Sequence, residues 1–211
     1  ICANATNLKN VIIPDSVTEI GESAFSGCTS LETIALPNGL TTIGSEAFSE
    51  KAIKSITIPS GVESIGNNAF HNCVSLESVT IPSGVTSIGQ NAFHNCKKLE
   101  SVIIPNGVTS IGNDAFSGCS ELKTVTILSE TVSVELATFY DCSESLRFFT
   151  VDGSEAENSI DTDGKCLSFT LNDDGKSYSV TDCGRLISGE LEIPDKFNGK
   201  PVTEIGNYAF E

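Results

Sequence analysis

The chain has 211 residues, a formal net charge of −16, eight cysteines, and neither methionine nor tryptophan. This length suits one or two folded units, and no apolar run approaches the roughly 18 residues that a membrane-spanning helix needs. The negative charge repels phosphate backbones and anionic lipid headgroups, which argues against nucleic acid and direct membrane insertion.

A repeat of about 23 residues dominates the chain from its beginning to residue 151. Ile-Pro or Leu-Pro steps end at Pro14, Pro37, Pro59, Pro82 and Pro105. Ile-Gly and Ala-Phe steps follow each proline at fixed offsets, and a sixth copy keeps the apolar positions while its proline becomes Leu128. Self-similarity at this period is the signature of a solenoid.

The fourth copy, LESVTIPSGVTSIGQNAFHNCKK, shows what each part of the repeat does. Val79 and Ile81 alternate with polar neighbours, which is the period of a strand with one buried face. The proline ends the strand, and a second short extended stretch closes at the Ile-Gly step. Phe93 and Cys96 are three apart, which places them on one face of a predicted helical turn.

The sequence FHNC occurs twice and contains both histidines of the chain, His71 and His94. If Phe93 and Cys96 point inward, His94 points outward and cannot share a metal ion with Cys96. Other copies read FSGC at the same place, and a closed zinc site needs four ligands. The histidines are therefore predicted to be exposed loop residues, and no metal or cofactor is expected.

Five cysteines recur at the same position of the repeat and are predicted to form a buried column of reduced thiols that act as small apolar side chains. They are Cys28, Cys73, Cys96, Cys119 and Cys142. The second copy is one residue short, and Lys51 interrupts the column there.

Residues 152–165 have the composition of an acidic linker, with five acidic residues and no basic residue between 152 and 164. Asp161, Asp163 and Gly164 match the start of a calcium-binding loop, but the later ligands and the bidentate glutamate are absent. The sequence favours a plain solvated loop.

Residues 166–211 begin with a predicted β-hairpin around an Asp-Gly turn. This turn aligns Leu171 with Tyr178 and Phe169 with Val180. It also sets Cys166 directly opposite Cys183, which predicts a disulfide unless a bulge near the turn misaligns them. The repeat then restarts in LEIPDKFNGKPVTEIGNYAF.

The pattern L-x-x-V-x-I-P-x-x-V-T-x-I-G-x-x-A-F-x-x-C-x-x resembles the BspA-like leucine-rich repeat family over residues 8–151, and once more over 191–210. The resemblance implies a right-handed, β-rich leucine-rich repeat solenoid with short helical turns. We expect about seven coils in residues 1–151, with a parallel sheet. Its strands are predicted to centre on Val11, Ile34, Ile56, Val79, Val102, Val125 and Phe149.

The resemblance also implies a secreted or cell-surface protein of a host-associated microbe that binds or adheres to host or microbial surface or matrix proteins, and it carries no catalytic residues. The residues agree, because no nucleophile has a base within predicted reach, so no enzymatic activity is expected. A structural spacer and a glycan-binding module remain alternatives. Methionine is absent, so the chain is expected to be a processed product or a fragment, with signal and anchor outside it.

The outward side chains of the predicted sheet form the candidate binding face of what we expect to be a monomer. The predicted contact residues are Ile12, Thr57, Thr80, Ile103 and Thr126 in one column and Phe148 in the next. Exposed isoleucines are not needed for folding and favour a protein-binding strip. Alternatively, threonine and serine are there because they favour strands, and the neighbouring charges because they pair across strands.

Overall fold

The computed structural model describes residues 5–129, 132, 136–143 and 145–149, and the strand segments 160–161, 165–171, 178–183, 196–197 and 200–205. We number the coils by the leucine or isoleucine that opens each repeat, so that coils 1 to 7 begin at residues 8, 31, 53, 76, 99, 122 and 146.

Each coil begins with a short strand, here called its first strand. The first strands are Asn10–Ile12, Thr33–Ala35, Ser55–Thr57, Ser78–Thr80, Ser101–Ile104, Thr124–Ile127 and Arg147–Phe149. They pair in parallel as two groups of two and one of three. Parallel pairing of residues one repeat apart confirms the predicted solenoid.

A second strand of two residues follows the proline turn in coils 1 to 5. The second strands are Glu19–Ile20, Thr42–Ile43, Ser64–Ile65, Ser87–Ile88 and Ser110–Ile111. They form one continuous five-stranded parallel sheet. Each of coils 1 to 5 is therefore joined to neighbouring coils by backbone hydrogen bonds along both of its strands. The array is stabilised by contacts between coils rather than within one.

The core is a set of columns in which equivalent residues stack from coil to coil. The phenylalanine column is the most regular, with ring centroids 5.1–5.4 Å apart and planes within 14° of parallel. Its members are Phe25, Phe48, Phe70, Phe93, Phe116 and Phe139. The four central rings are fully buried, and their offset stacking adds to the hydrophobic stabilisation.

The segment around each Ala-Phe step is a chain of tight turns, and the predicted helical turn is wrong in coils 1 to 5. Asn91 and Asn95 have φ values of 54° and 57°. A right-handed helix cannot continue through a left-handed residue. Phe93 and Cys96 are nevertheless both fully buried, as predicted. A helix is present only in coil 6 among the described residues, as the 3₁₀ segment Leu136–Phe139.

Left-handed backbone explains why FHNC and FSGC can both occur at this place in the repeat. The position before each cysteine has positive φ, and it holds Gly27, Asn72, Asn95, Gly118 and Asp141. Glycine and asparagine adopt this conformation most readily. In coil 2 the same conformation is held by Glu50, with φ 61°.

The substitution Glu50→Asn is expected to raise the free energy of unfolding by about 0.5–1 kcal/mol, because left-handed backbone costs ordinary residues about 1–2 kcal/mol. A chain of this size would unfold about 1–4 °C higher, which differential scanning calorimetry can resolve. Glu22→Asn is the matched control, since it removes the same charge from an exposed position that is not among the left-handed residues. Equal shifts in the two variants would contradict this explanation.

The strands beyond the array form a five-stranded mixed sheet. In spatial order its strands are Ile160–Asp161, Lys165–Leu171, Tyr178–Cys183, Lys200–Ile205 and Lys196–Phe197. The two hairpin strands, Lys165–Leu171 and Tyr178–Cys183, pair antiparallel as predicted. Leu171 lies opposite Tyr178 and Phe169 opposite Val180. The Asp-Gly turn itself lies outside the described residues.

Two features of this sheet differ from the sequence prediction. The segment 160–161, within the predicted linker, is a strand that pairs with Lys165 and Cys166. A bulge between Ser168 and Phe169 shifts the hairpin register and places Cys183 opposite Leu167. The direct alignment of Cys166 with Cys183 is therefore wrong, and the register no longer favours a disulfide between them.

Within the described part of the chain, no helix has the length and apolar character needed to cross a membrane.

Candidate functional site

The exposed side of the first strands is here called the front face. In the first strands of coils 1 to 6, the equivalent residues Val11, Ile34, Ile56, Val79, Val102 and Val125 point into the core. The residues on either side of them point to solvent, so equivalent outward residues stack in columns. The outer column contains Ile12, Ala35, Thr57, Thr80, Ile103 and Thr126. The first five are exposed and Thr126 is half-buried.

Two isoleucines on the front face stand out from the surrounding hydroxyl groups. Ile12 is 92% exposed and Ile103 is 54% exposed. Both are next to strand residues that pack inward, so the core gains nothing from their apolar side chains. The neighbouring column is polar: Asn10, Thr33, Ser55, Ser78, Ser101 and Thr124.

The predicted place of Phe148 in this face is wrong by one residue. The first strand of coil 7 pairs Phe148 with Val125 and Arg147 with Thr124. Phe148 is therefore aligned with a buried position, not with the exposed polar column. The sequence prediction advanced by 24 residues from Val125, whereas the register keeps the 23-residue period. The face defined by Ile12, Thr57, Thr80 and Ile103 is unaffected.

A third column, of alternating charge, borders the front face. Lys9 lies 3.5 Å from Glu32, and Lys123 lies 3.9 Å from Glu100, measured between nitrogen and carboxylate oxygen. All four side chains are well exposed, and exposed ion pairs add little stability. These charges matter more for what approaches the face than for holding the coils together.

Charge is distributed unequally around the coils. We divide residues 8–126 into segments that contain a first strand, each running from a cysteine position to the next proline, and the segments between them. Those that contain the first strands carry six basic and four acidic residues. The basic residues are Lys9, Lys51, Lys54, Lys97, Lys98 and Lys123, and the acidic ones are Glu32, Glu77, Glu100 and Glu121. The segments between them carry seven acidic residues and no lysine or arginine. Lys51 is buried, so the front side is nearly neutral at its surface and the rest of the array is acidic.

An open groove of about 620 Å³ runs along the second strands. It is lined by small and amide-bearing residues such as Ser64, Asn67, Ser87, Gln90 and Ser110. None of its lining residues is aromatic or charged, so it offers no aromatic platform on which a sugar ring could stack. The groove does not favour the glycan-binding alternative.

The two histidines lie side by side in coils 3 and 4. Their ring centroids are 5.2 Å apart, and the ring planes differ by 20°. Both residues are half-buried rather than exposed, which corrects the sequence prediction. Stacked imidazoles direct their nitrogens along parallel planes instead of towards a common point. Across the described residues, no group of three or more His, Cys, Asp or Glu side chains could hold a metal ion.

The cysteine column is confirmed. Cys28, Cys73, Cys96 and Cys119 are fully buried, Cys142 is half-buried, and all five are reduced. The thiols of coils 3 to 6 each donate a hydrogen bond, with sulfur–oxygen distances of 3.0–3.3 Å, to the carbonyl oxygen of the phenylalanine one coil earlier.

Burial makes three of these thiols unreactive. It raises the pKa of Cys73 to about 11, and it also raises the pKa of Cys96 and Cys119. A thiol is nucleophilic only as the thiolate. Cys73, Cys96 and Cys119 therefore act as structural side chains of the core.

Lys51 occupies the cysteine position of coil 2. The residue is only 3% exposed, and its ammonium group donates a hydrogen bond to the carbonyl oxygen of Ser49. Burial lowers the pKa of Lys51, against the opposing effect of Cys73 and Cys28. Coil 2 thus combines a buried lysine with two glutamates, Glu46 and Glu50, in the left-handed conformation.

Comparison with known proteins gives the same repeat. The model of the BspA type leucine rich repeat region matches residues 1–97 and 41–161, with six copies. The chain belongs to the BspA-type leucine-rich repeat family. No curated protein matches it.

Solved structures of bacterial leucine-rich repeat proteins share the fold. A leucine-rich repeat protein of Bacteroides ovatus is 29% identical over 70% of this chain and 50% of its own, with a TM-score of 0.52. The leucine-rich repeat protein of T. pallidum is 36% identical over 56% of this chain and 57% of its own, with a TM-score of 0.54.

A third similar structure is a leucine-rich cell surface protein of Faecalibacterium prausnitzii. It is 30% identical over 82% of this chain and 45% of its own length, with a TM-score of 0.50. The chain thus spans about half the length of the solved structures it matches.

Proposed function

We propose that this BspA-type array is a non-catalytic protein-binding module of a secreted or cell-surface protein, and that its partner docks on the front face. The observation that carries the proposal is the exposure of Ile12 and Ile103 on a face where neither side chain serves the core. Exposed apolar side chains set among polar ones are the usual anchors of protein interfaces.

The charge distribution supports the same face. The front side of the array carries nearly balanced charge at its surface, whereas the remaining segments of coils 1 to 5 carry acidic residues alone. An acidic partner would be repelled by the acidic side of the array. Complementary charges across an interface also suppress wrong orientations. The alternating column that includes Lys9, Glu32, Glu100 and Lys123 suits a partner of mixed charge, such as a host or microbial surface or matrix protein.

Three glutamates on the front face should weaken binding to an immobilised extracellular-matrix extract. The variant combines Thr57→Glu, Thr80→Glu and Ile103→Glu, and we expect binding at least about tenfold weaker, because each change places an unpaired charge in the interface. Biolayer interferometry with the purified chain measures this loss.

The matched control places the same charge on the proline turns of the same coils, as Ser60→Glu, Ser83→Glu and Asn106→Glu, all at exposed positions. We expect this variant to bind like the unmodified chain. Loss of binding only in the turn variant would assign the interface to another side. No binding by the unmodified chain would favour the spacer alternative.

A further inference from the structure

The stacked histidines are a departure from the rest of the repeat. His71 and His94 occupy a position that holds serine in coils 1, 2 and 5 and Tyr140 in coil 6. Serine therefore suffices for the fold, and an imidazole pair is present only at the centre of the array. The two rings contact each other across the boundary between coils 3 and 4.

The backbone on both sides of the pair belongs to the ladder that joins neighbouring coils. The carbonyl oxygen of His71 accepts a hydrogen bond from the Glu50 amide, with 2.7 Å between nitrogen and oxygen, and that of His94 accepts one from the Asn72 amide at 2.8 Å. The Asn95 amide continues the ladder to Ser117 at 2.8 Å. These bonds set the spacing of the coils, so the two backbones cannot move apart without weakening them.

One nitrogen of the pair has no hydrogen-bond partner. The Nδ1 atom of His94 is buried and contacts neither a donor nor an acceptor. A neutral imidazole tolerates an unpaired acceptor nitrogen at moderate cost, whereas a protonated one would bury an unpaired positive donor. The site is therefore built for neutral rings.

The charged groups around the pair are unequal on its two sides. Glu46 and Glu50 of coil 2 are the carboxylates that favour protonation of His71. Their effect is outweighed, since burial and then the neighbouring His94 lower the pKa of His71. On the other side, coil 5 has Ser117 at the histidine position and Asp114 three residues before it, while Lys97 and Lys98 follow the turn of coil 4.

We propose that the His71–His94 stack is an acid-sensitive joint between coils 3 and 4, which is packed when both imidazoles are neutral and is loosened when they become imidazolium ions. Two positive charges at a separation of about 5 Å then repel each other, and one of them has no acceptor for its buried N–H group. The coils on either side carry Thr57 and Thr80 of the front face, so loosening the joint also disturbs that face.

The direction of the pH effect follows from the protons bound in each state. His71 binds fewer protons in the folded chain than in the unfolded chain, because its pKa is lowered on folding. Stability therefore rises with pH, is complete above the unfolded value of about 6.5, and is lost as pH falls below it. The window lies in the mildly acidic range, where histidine is the usual switch.

The test compares the full chain with a variant that carries His71→Ser and His94→Ser, since serine is the residue of three other coils. Urea unfolding is measured at pH 7.5 and at pH 5.0. We expect the unmodified chain to lose more stability on acidification than the double variant, by at least about fourfold in the unfolding equilibrium constant. This is the repulsion of two unit charges about 5 Å apart with the dielectric constant of water. Carboxylates far from the stack contribute equally to the acid sensitivity of both proteins.

The single variants separate repulsion within the stack from a simple cost of burying histidine. A double-mutant cycle should give a coupling between His71 and His94 that is more unfavourable at pH 5.0 than at pH 7.5. In proton NMR titrations, His94→Ser should raise the pKa of His71. An unchanged pKa of His71 in that variant, or equal acid sensitivity of the unmodified chain and the double variant, would overturn the proposal.

Discussion

Replacement of Phe93 by alanine is expected to lower the free energy of unfolding by about 3–5 kcal/mol. The Phe93 ring is fully buried and stacks on Phe70 and Phe116 at centroid distances of 5.1 and 5.2 Å. Alanine would leave a cavity between two rings that are themselves fixed by their neighbours. The cost therefore includes lost hydrophobic burial and lost ring contacts on two sides.

The position of Phe93 in the middle of the array increases the consequence of this change. Each coil contacts mainly its neighbours, so a defect in coil 4 separates coils 1–3 from coils 5–7. Urea unfolding followed by circular dichroism should show a lower midpoint and, because the two parts become less coupled, a broader transition. Hydrogen exchange would place the early opening in coil 4.

Tyr140→Ala is the control, because Tyr140 is an aromatic residue that is 56% exposed. Its removal is expected to change stability by less than about 0.5 kcal/mol. Similar losses in Phe93→Ala and Tyr140→Ala would show that the phenylalanine column does not carry the stability of the array.

Most of the array could be predicted from the sequence because its repeat encodes the fold many times over. One strand or one turn is an ambiguous signal, but five copies at the same offsets leave a single arrangement in which equivalent residues stack. The buried position of Val79, the inward ring of Phe93 and the reduced state of Cys96 all follow from that arrangement, and the structure confirms each.

The errors arose where a backbone detail, not a pattern of hydrophobic residues, decides the geometry. Spacing alone does not distinguish a helical turn from a turn with left-handed residues, although the glycine, asparagine or aspartate before each repeat cysteine was a usable signal. The bulge at Ser168 left no such signal, and it removed the predicted alignment of Cys166 with Cys183. The misplacement of Phe148 has a different cause, since the 23-residue period itself gives the observed register.

The candidate site was only partly predictable for a physical reason. Alternation along a strand predicts which side chains face solvent, so Ile12 and Ile103 were found without the structure. Contacts between side chains of different coils depend on the exact offset of one coil on the next. The repeat places His71 and His94 at equivalent positions and so indicates that they stack, but the burial of Lys51 and the half-burial of both rings became visible only in three dimensions.

The substitution Gly89→Ala is expected to destabilise the chain by about 3 kcal/mol or more, although it adds a single methyl group. A Cβ atom at Gly89 would lie 2.6 Å from the backbone nitrogen of Asn67 and 2.6 Å from the carbonyl carbon of Gly66, both in the preceding coil. Real Cβ atoms do not approach backbone so closely, and overpacking a site that can move costs about 1–3 kcal/mol.

This site cannot move independently, because its neighbours hold the sheet of second strands together. The Gly89 amide donates to the carbonyl oxygen of Ile65 at 2.8 Å, so relieving the clash means lengthening the bonds between coils 3 and 4. Gly21→Ala is the matched control, since no atom lies within 4 Å of its Cβ position. It should leave stability unchanged or raise it by about 0.4–1 kcal/mol, through a less flexible unfolded chain. Urea midpoints of the two variants decide the matter: if Gly89→Ala were as stable as Gly21→Ala, close approach of the coils would not be the reason for the glycine column.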